Sequence, residues 1–415
     1  MKFFIISLTS LLFLCSVLKS DVIQVCSTCS YTTVKSGIKA AKKGDVVEVQ
    51  AGTYQESNIV IDKSITLTGI GFPVIDAEHA QEEIVIIAAD SVTLEGFQIQ
   101  NVGHSYLKDL SGIRVRRKEH FIIRNNRLYN TMFAIYLEYA NRGIVSGNEI
   151  LGEAVEETSS GNGIHAWYCN NLTIENNHVA NHRDGIYFEF VTESSISDNT
   201  CENNLRYGLH FMFSNYDTYR RNVFSANGAG VAVMFSKEIK MYNNRFVNNW
   251  GGASYGLLLK EIYDADIQYN VFDRNTIGIR VEGSTRVNYS SNDFINNGWA
   301  VKFAGGCYDN AISQNNFIAN SFDLAMDKAS NNNSLNNNYW ADYSGYDLDK
   351  DGTGDVPHRP VKLFNFIVLQ TPESVILLRS LFIDLINFSE KVSPVFTPKN
   401  VVDDYPQMKR IIHKS

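Results

Sequence analysis

The sequence predicts an all-β fold, a right-handed parallel β-helix with an N-terminal helical cap and a helical C-terminal extension. Two patterns predict this fold. An Asn, any residue and a large apolar residue recur along the chain, mostly in steps of 22 or 23 residues. A Gly that opens a short strand of alternating apolar residues recurs in step with them. About two short strands per period, without a helical pattern, indicate stacked coils rather than several globular domains.

The Asn motif marks one corner of each coil. Its copies begin at Asn126, Asn148, Asn177, Asn199, Asn222, Asn244, Asn270, Asn292 and Asn315. Two steps are longer, 29 residues before Asn177 and 26 before Asn270, and they predict inserted loops. We interpret the Asn residues as structural, because Asn tolerates left-handed backbone at corners and its side chain can bond from coil to coil. The strand glycines predict tight corners or close backbone approach.

The N-terminal segments predict export and a covered first coil. Residues 1–20 place one Lys, Lys2, before an apolar run and end at a small residue, Ser20, which is typical of a Sec signal peptide. Residues 21–62 predict an N-terminal cap and first coil, a short helix and two strands, the usual opening of a pectate-lyase-like β-helix. The β-helix is then expected over 63–345 and the C-terminal extension over 346–415. A net charge of −8 indicates neither nucleic-acid binding nor a basic membrane patch.

The cysteines fit an exported protein. Five remain after removal of the signal peptide. They are Cys26, Cys29, Cys169, Cys201 and Cys307. An odd number leaves at least one thiol or an intermolecular bond. Cys26 and Cys29 predict either a small-loop disulfide or a thiolate pair for metal, and an oxidising compartment favours the disulfide.

The Gly-led strands predict two columns of outward side chains. Every second residue of a strand faces outward, and coils stacked in register bring equivalent residues to about 4.8 Å from each other. The first column reads Tyr136, His165, Tyr187, His210, Ala232, Leu258 and Arg280, and the second reads Glu138, Trp167, Glu189, Met212, Met234, Lys260 and Glu282. Trp, Met and His together are unusual on an exposed strand face. We expect Ala232 to leave room beside His210.

These columns predict a site for a soft metal ion or for a partner protein. Imidazole and thioether groups together favour Cu(I), whereas a hard cation would need clustered carboxylates. The candidate Cu(I) contacts or transfer residues are His210, Met212, Met234 and His165. The competing interpretation is a docking patch without metal. Its candidate partner-binding residues are Trp167, Tyr187 and Glu189.

The segment "DLDKDGTGD" predicts either a calcium loop or a structural turn. The residues at positions one, three, five and nine of the loop are Asp347, Asp349, Asp351 and Asp355, and Gly352 stands at position six. His358 occupies the twelfth position, where an EF-hand needs a bidentate Glu. The alternatives are therefore a weaker Ca²⁺ site or an Asp/Gly turn that ends the β-helix.

A helix is predicted after this loop. Thr371 is the expected N-cap, with Pro372 in the first turn. An apolar stripe at helical spacing comprises Val375, Leu378, Leu381, Phe382, Leu385 and Ile386. This stripe predicts packing on the end of the solenoid or docking to a partner. Residues 408–415 are expected to be mobile.

Several blocks of the chain resemble the NosD family, periplasmic β-helix proteins of the machinery that matures nitrous oxide reductase. The blocks are "GNGIHAW" (161–167), "RDGIYF" (183–188), "RYGLHFMFSN" (206–215), "GVAVMFS" (230–236), "YGLLLKEI" (255–262), "NYWADYSGYDLDKDGTGDVPHRPV" (338–361) and "LLRSLF" (377–382). The resemblance covers nearly the whole chain after the signal peptide. The His/Met strand and the C-terminal block are its specific parts.

The resemblance implies a periplasmic accessory factor that is not an enzyme. Its expected partners are an ABC transporter permease with its ATPase, a Cu(I) chaperone lipoprotein and nitrous oxide reductase. Its expected cargo is Cu(I), bound transiently through His210, Met212 and Met234. The C-terminal helix is then expected to dock onto the permease.

The alternative function is that of a secreted polysaccharide lyase or hydrolase, or a carbohydrate-binding protein. Such an enzyme needs an acid cluster with a basic group, or two carboxylates at a reactive separation. Charged residues that line the strand face are Glu138, Glu189, Glu282, Arg280 and Lys260. The two Met residues have no part in such a reaction.

Overall fold

The chain winds into a right-handed parallel β-helix of about 14 coils, which confirms the predicted fold class. The computed structural model describes residues 20–105, 107–326, 332–378, 380–392 and 401–413. The predicted signal peptide lies outside them, apart from Ser20. Each coil contributes one strand to each of three sheets, so the expectation of two strands per period is wrong. The strands beside the Asn corner are three residues long in most coils, which makes them resemble part of the turn in the sequence.

All strands pair in parallel, and we number them in chain order. The first sheet contains β1 (Val22–Val25), β2 (Val46–Gln50), β5 (Thr66–Ile70), β8 (Thr93–Glu95), β11 (Ile122–Arg124), β14 (Ile144–Ser146), β17 (Thr173–Glu175), β20 (Ser195–Ser197), β23 (Thr218–Arg220), β26 (Lys240–Tyr242), β29 (Tyr263–Gln268), β32 (Thr285–Ser290), β35 (Ala311–Ser313) and β38 (Ser334–Asn336). The second sheet contains β3 (Thr53–Gln55), β6 (Val74–Asp76), β9 (Gln98–Gln100), β12 (Arg127–Tyr129), β15 (Glu149–Leu151), β18 (His178–Ala180), β21 (Thr200–Glu202), β24 (Val223–Ser225), β27 (Arg245–Val247), β30 (Val271–Asp273), β33 (Asp293–Ile295), β36 (Asn316–Ile318) and β39 (Tyr339–Trp340).

The third sheet has the longest strands and carries the predicted columns. It contains β4 (Ile59–Ile61), β7 (Val85–Ile87), β10 (Ser111–Arg116), β13 (Phe133–Glu138), β16 (Ile164–Trp167), β19 (Asp184–Glu189), β22 (Tyr207–Met212), β25 (Ala229–Met234), β28 (Leu257–Lys260), β31 (Ile277–Glu282), β34 (Trp299–Ala304) and β37 (Phe322–Ala325). The chain passes from the first sheet to the second, then to the third, and on to the first sheet of the next coil.

The repeated Asn residues form a buried hydrogen-bonded ladder between the first and second sheets. The backbone N–H and the Nδ2 of Asn222 both donate to Oδ1 of Asn244 at 3.0 Å, and Asn244 donates in the same way to Asn270. The left-handed backbone belongs to the residue before each ladder Asn, such as Asn243, and not to the ladder residue. Of the two structural roles expected for these Asn residues, the structure therefore selects the bond from coil to coil.

A second Asn ladder follows the corner between the second and third sheets. Each member stands five residues after a member of the first ladder. The members are Asn204, Asn227, Asn249, Asn275, Asn297 and Asn320. The strand glycines lie beside this ladder. A Cβ on Gly208 would lie 2.8 Å from Nδ2 of Asn227 and 2.9 Å from the carbonyl oxygen of Gly230, so Gly is required there by close approach.

The apolar residue of each Asn motif points into the core and stacks on its equivalent in the next coil. Rings with centroids 4.1–5.5 Å apart continue from Phe224 to Trp340. The intervening rings are Phe246, Phe272, Phe294 and Phe317. This stack explains why an aromatic residue follows the corner Asn in the later coils, since the coil spacing matches the distance at which offset rings attract each other.

A short helix covers the first coil, as the sequence predicts. Helix α1 (Val34–Ala40) is capped by Thr33, whose side-chain oxygen accepts from the backbone N–H of Ser36. It buries Val34, Gly37 and Ile38 on β1 and β2. The disulfide that Cys26 and Cys29 form beside it confirms the favoured prediction for this pair.

The C-terminal extension differs from the single helix that the sequence predicts. It comprises α2 (Leu363–Gln370), a 3₁₀ segment (Pro372–Leu377) and α3 (Leu381–Val392). Thr371 makes no side-chain cap bond, and the tighter 3₁₀ segment breaks the helical phase before Leu381. No helix among the described residues is long and apolar enough to cross a bilayer.

The apolar stripe of this extension is therefore divided between two environments. Leu378 and Ile386 pack beside the buried Ile383 against Phe322 and α2. The remaining stripe residues are exposed. They are Val375, Leu381, Phe382 and Leu385.

The tail is docked, so the expectation that the final residues are mobile is wrong for the described part of it. The carboxylate of Asp403 accepts from Nδ2 of Asn338 at 2.9 Å and from Nε1 of Trp340 at 3.0 Å. It takes the place of the next Asn and closes the first ladder. Further along, the backbone N–H of Ile411 donates to Oδ1 of Asn316.

Replacing Asn244 by Ala tests the ladder. The change leaves the buried backbone N–H of Asn222 without a partner and removes one bond each from Nδ2 of Asn222 and the carbonyl of Tyr219, so we expect the free energy of unfolding to fall by roughly 3 kcal/mol. Urea unfolding measures it. Asn288→Ala, which removes one long side-chain bond on a strand, is the control and should change stability little. Equal losses in the two variants would contradict this role.

Candidate functional site

The candidate site lies on the outer face of the third sheet, where the register matches the predicted columns. In the first column, Tyr187 pairs with His210 and His210 with Ala232. In the second, Met212 lies between Glu189 and Met234. Residues 22 or 23 positions apart in the sequence thus become neighbours about 4.8 Å apart.

The face around His210 is not open, and the expectation that Ala232 leaves room there is wrong. His210 is only 6% exposed and Ala232 is fully buried. Tyr255, on the longer connection that precedes β28, joins Ala229, Ala232 and Leu258 in an apolar cluster. The ring of Tyr207 lies 4.8 Å from that of His210. Aromatic side chains therefore fill the space that the small Ala provides.

His210 faces a fully buried carboxylate. Its Nδ1 lies 3.8 Å from Oδ2 of Asp184, which stands on the neighbouring strand β19. Arg206 holds the same carboxylate, with Nε donating to Oδ1 at 2.9 Å and Nη2 to Oδ2. Burial alone would raise the pKa of Asp184, but His210 and Arg206 hold it below its usual value. Both ring nitrogens of His210, Nδ1 and Nε2, are buried without a hydrogen-bond partner among the described residues.

Two thioethers stand beside His210. Met212 lies two residues along the same strand, about 6.6 Å away on the same face, and Met234 pairs with Met212 in the next coil. Both Met side chains are half-buried. Met234 packs against the apolar cluster of Tyr255 and Leu258. One imidazole nitrogen and two thioether sulfurs thus occur on two adjacent strands.

His165 is held apart from this group. It lies two strands from His210, stacked between Tyr136 at 4.3 Å and Tyr187 at 4.7 Å. Nδ2 of Asn162 lies 2.9 Å from Nδ1 of His165, and Oδ1 of Asn162 accepts from Arg183, so the amide donates to the ring. Burial, followed by the charge of Arg183, lowers the pKa of His165 to about 3. The ring is therefore neutral at pH 7, with Nδ1 already engaged.

The donor set fits a soft monovalent ion. Thioether sulfur and neutral imidazole nitrogen are ligands that Cu(I) prefers, and neither must lose a proton to bind. The unpartnered Nε2 of His210 is the observation that favours a ligand, because a buried polar atom without a partner is costly. His210, Met212 and Met234 are close enough for one site, whereas His165 is not.

A groove of about 730 Å³ runs along the same face toward the N-terminal coils. His165, Trp167 and Glu189 line it, and Tyr187 borders it, since its hydroxyl lies 3.4 Å from Glu189. Arg114 lies in the floor of the groove and is almost fully buried. The Arg114 guanidinium lies over the ring of Tyr136 and bonds to Glu83 at 2.6 Å. The predicted partner-binding residues therefore lie in or beside one elongated depression.

The Asp-rich loop is a separate oxygen cluster. Carboxylate oxygens of Asp347, Asp349 and Asp351 lie within 4.8 Å of one another. Asp355 instead accepts from the backbone N–H of Leu348. His358 packs on Trp340, and burial lowers its pKa to about 4. The three clustered oxygens are of the kind that a hard cation takes, and Ca²⁺ binding stays a prediction.

Sequence reasoning missed the polar support of His210. Asp184 and Arg206 each stand next to the Gly–strand motif, Asp184 directly before Gly185 and Arg206 two residues before Gly208. An acid directly before the Gly that opens the strand was the available signal. Tyr255 gave no signal, because its position depends on the fold of the connection before β28.

Comparison with known proteins relates the chain to two families. Residues 151–345 match the NosD family, described as a periplasmic copper-binding protein, and residues 82–215 match the right-handed β-helix region. The chain is 28% identical over 380 residues to the "Probable ABC transporter binding protein NosD" of Stutzerimonas stutzeri, with 86% of each chain covered. It is 28% identical over 414 residues to the protein of the same name from Pseudomonas aeruginosa, covering 86% of this chain and 87% of that one.

Solved structures share the fold at low identity. The A-module of a mannuronan C-5 epimerase of Azotobacter vinelandii has a TM-score of 0.52 and 14% identity, over 74% of this chain and 90% of that one. A periplasmic alginate epimerase has a TM-score of 0.50 and 11% identity, over 71% of this chain and 75% of that one. At these identities the likeness shows the fold alone.

Asp184→Asn tests the buried pair. The variant leaves the Arg206 guanidinium without a countercharge, and we expect about 3 kcal/mol less stability at pH 7. A carboxyl group with a lowered pKa stabilises the fold above its unfolded pKa. That contribution is lost as the pH falls below about 4. The variant should therefore lack this part of the acid sensitivity.

Urea unfolding at pH 7 and pH 3 measures both effects. Asp198→Asn is the matched control, because Asp198 also binds one Arg, Arg221, through both oxygens but at the surface. Its loss should be much smaller. Similar losses in both variants would show that burial adds nothing to the Asp184 pair.

Proposed function

Since the chain belongs to the NosD family, we propose that it is a periplasmic accessory protein that helps to supply copper to nitrous oxide reductase. In this function it works with an ABC transporter, composed of a permease and its ATPase, and with a Cu(I) chaperone lipoprotein. Copper is its cargo, and it catalyses no reaction of its own.

The observation that supports this function is the pairing of Met212 with Met234 beside the unpartnered Nε2 of His210. The thioethers are neutral and flexible, so they can take and release Cu(I) without moving a proton. Asp184 lies 3.8 Å from Nδ1 of the ring, so Nε2 is the ring nitrogen left for the metal. Half-burial of both Met residues keeps the site within reach of a second protein.

The cysteines agree with this assignment. Cys26 and Cys29 form a disulfide, as expected outside the cytoplasm. Cys169 and Cys201 are buried thiols, and burial raises the pKa of both, that of Cys169 to about 12. Because thiolate is the form that binds metal, these two do not compete with the thioether pair for Cu(I).

The exposed apolar face of α3 supports docking to the permease. Leu381, Phe382, Leu385 and Phe388 are all exposed on this helix, while Ile383 on its other side is buried. Ile376 adds a further exposed apolar side chain in the 3₁₀ segment before it. Apolar patches of this kind mark surfaces that a protein or membrane partner covers.

The alternative function is a polysaccharide lyase or hydrolase, or carbohydrate binding. The groove, with Trp167 and several carboxylates, is the observation that favours it. Glu83 and Glu138 both lie within ion-pair distance of Arg114, however, so part of the negative charge of the groove is already neutralised. The thioether pair would have no role in this chemistry.

Replacing Met212 and Met234 together by Leu tests the copper function. Leu keeps the volume and removes the sulfur ligands, so we expect Cu(I) affinity to fall by about 100-fold or more, since even outer partners of a ligand are worth 10–100-fold. Titration against a competing Cu(I) chelator measures it. Met408→Leu, a half-buried Met in the tail, is the control.

Unchanged affinity in the double variant would contradict the thioether site. Depolymerisation of oligogalacturonate by the unaltered protein, with no retention of Cu(I), would favour the alternative function.

Replacing Leu385 and Phe388 by Ser tests the α3 surface. Each side chain is expected to contribute on the order of 2 kcal/mol to association with the permease. Co-purification with the permease from detergent-solubilised membranes should therefore be lost. Leu107→Ser is the control, because Leu107 is 96% exposed in a loop far along the chain. Retention of the complex by the double variant would rule out this face.

A further inference from the structure

Five aromatic side chains form a continuous stack at the corner between the third sheet and the first. They are Tyr139, Tyr168, Phe190, Phe213 and Phe235, which we call the corner ladder. Successive ring centroids lie 5.3, 4.4, 5.1 and 5.2 Å apart, and the planes are within 18° of parallel. The ladder occupies five consecutive coils.

The backbone at this corner does not call for aromatic residues. All five residues have φ between 50° and 55°, a left-handed conformation that is unfavourable for bulky side chains and that Gly or Asn adopts more readily. Coils on either side place Arg117, Glu261 and Gly283 at the same position. Tyr168, Phe213 and Phe235 are nevertheless 38–42% exposed. An exposed ring in an unfavourable conformation, repeated coil after coil, indicates a role outside the folding of the chain.

The ladder lies beside the thioether pair. Phe213 directly follows Met212, and Phe235 directly follows Met234. The other three members follow Glu138, Trp167 and Glu189 in the same outer column. A protein that covers the ladder would therefore also cover the two sulfurs.

The orientation of the rings restricts what can bind. Their faces are stacked on one another, so that the edges are left to point outward. Ring edges carry partial positive charge and attract thioether sulfur and carbonyl oxygen. A sugar would need an open ring face for stacking, and within the ladder the faces are covered. The ladder thus favours an apolar protein surface over a glycan.

The border of the ladder at its phenylalanine end is acidic. Within three residues of the ladder along the chain, or at the same position one coil on, stand the carboxylates of Glu189, Glu193, Glu238 and Glu261 and the ammonium groups of Lys237 and Lys260. One of the two cations, Lys237, lies over the ring of Tyr216. A partner with an apolar patch and a basic rim matches this surface.

We propose that the corner ladder is the docking surface for the protein that delivers Cu(I) to Met212 and Met234, the copper chaperone. This proposal rests on the proposed function. Transfer of an ion between two proteins requires both sets of ligands at one interface, and the ladder is the exposed apolar surface in contact with the thioether strands. The partner presents an apolar patch with soft ligands at its centre and basic side chains around it.

The test replaces Phe190, Phe213 and Phe235 together by Asn. Asn tolerates the left-handed backbone, so the variant should fold with an unfolding temperature no lower than that of the unaltered protein. The probe is the purified Cu(I)-loaded soluble domain of the copper chaperone lipoprotein, titrated calorimetrically. We expect its affinity to fall by about 30-fold or more. Added salt should weaken binding to the unaltered protein.

Phe72→Asn is the matched control. Phe72 is also an exposed aromatic residue with a positive φ, of 55°, but it lies at another corner in an early coil. The Phe72→Asn variant should bind the chaperone domain as tightly as the unaltered protein. Chaperone binding that survives in the triple variant would overturn the proposal. The proposal would also be overturned if the triple variant lost binding to nitrous oxide reductase but not to the chaperone domain. The partner on the ladder would then be the protein that accepts Cu(I).

The two failures are distinguishable. Titration of the isolated chain with Cu(I) needs no partner, so the copper function fails or stands on that measurement whatever the docking experiment shows. If the chain binds Cu(I) through Met212 and Met234 but the ladder variant still binds the chaperone domain, only the docking surface is refuted.

Discussion

The hydrogen bonds of the buried Asn side chains, passed from coil to coil, are the constraint on which the rest of the structure depends. Each ladder amide is satisfied only if the next Asn stands directly above it, as between Asn222 and Asn244. A slip of one residue would break these bonds and turn the core side chains outward. The ladder therefore fixes the register of every sheet, and Asp403 closes it at the last coil.

Fixed register converts a repeated sequence into a surface. Met212 and Met234 become neighbours because their coils cannot shift, and the apolar cluster around Tyr255 then covers one side of the pair. Asp184 lies 3.8 Å from Nδ1 of His210, and Arg206 holds this carboxylate in place. A rigid scaffold with two flexible thioethers suits an ion that must be held briefly and then passed on.

Two exposed apolar surfaces stand at different places along the solenoid. The corner ladder lies in the coils of β13 to β25, and α3 packs beside Phe322 near the C-terminal end. A chain that contacts one protein through the ladder and another through α3 can hold both at once. The long, regular core separates the two surfaces.

By itself, the sequence determined the repeat, and with it the β-helix, the outward columns and the presence of His210, Met212 and Met234 on one outer face. These depend on period and alternation, which are local properties of the chain. Only the tertiary structure decided that His165 stands apart, that Tyr255 closes over Ala232, that Asp184 supports His210 and that the tail completes the Asn ladder. Each of these depends on how irregular segments pack against the coils, and such contacts join residues that have no periodic relation in the sequence.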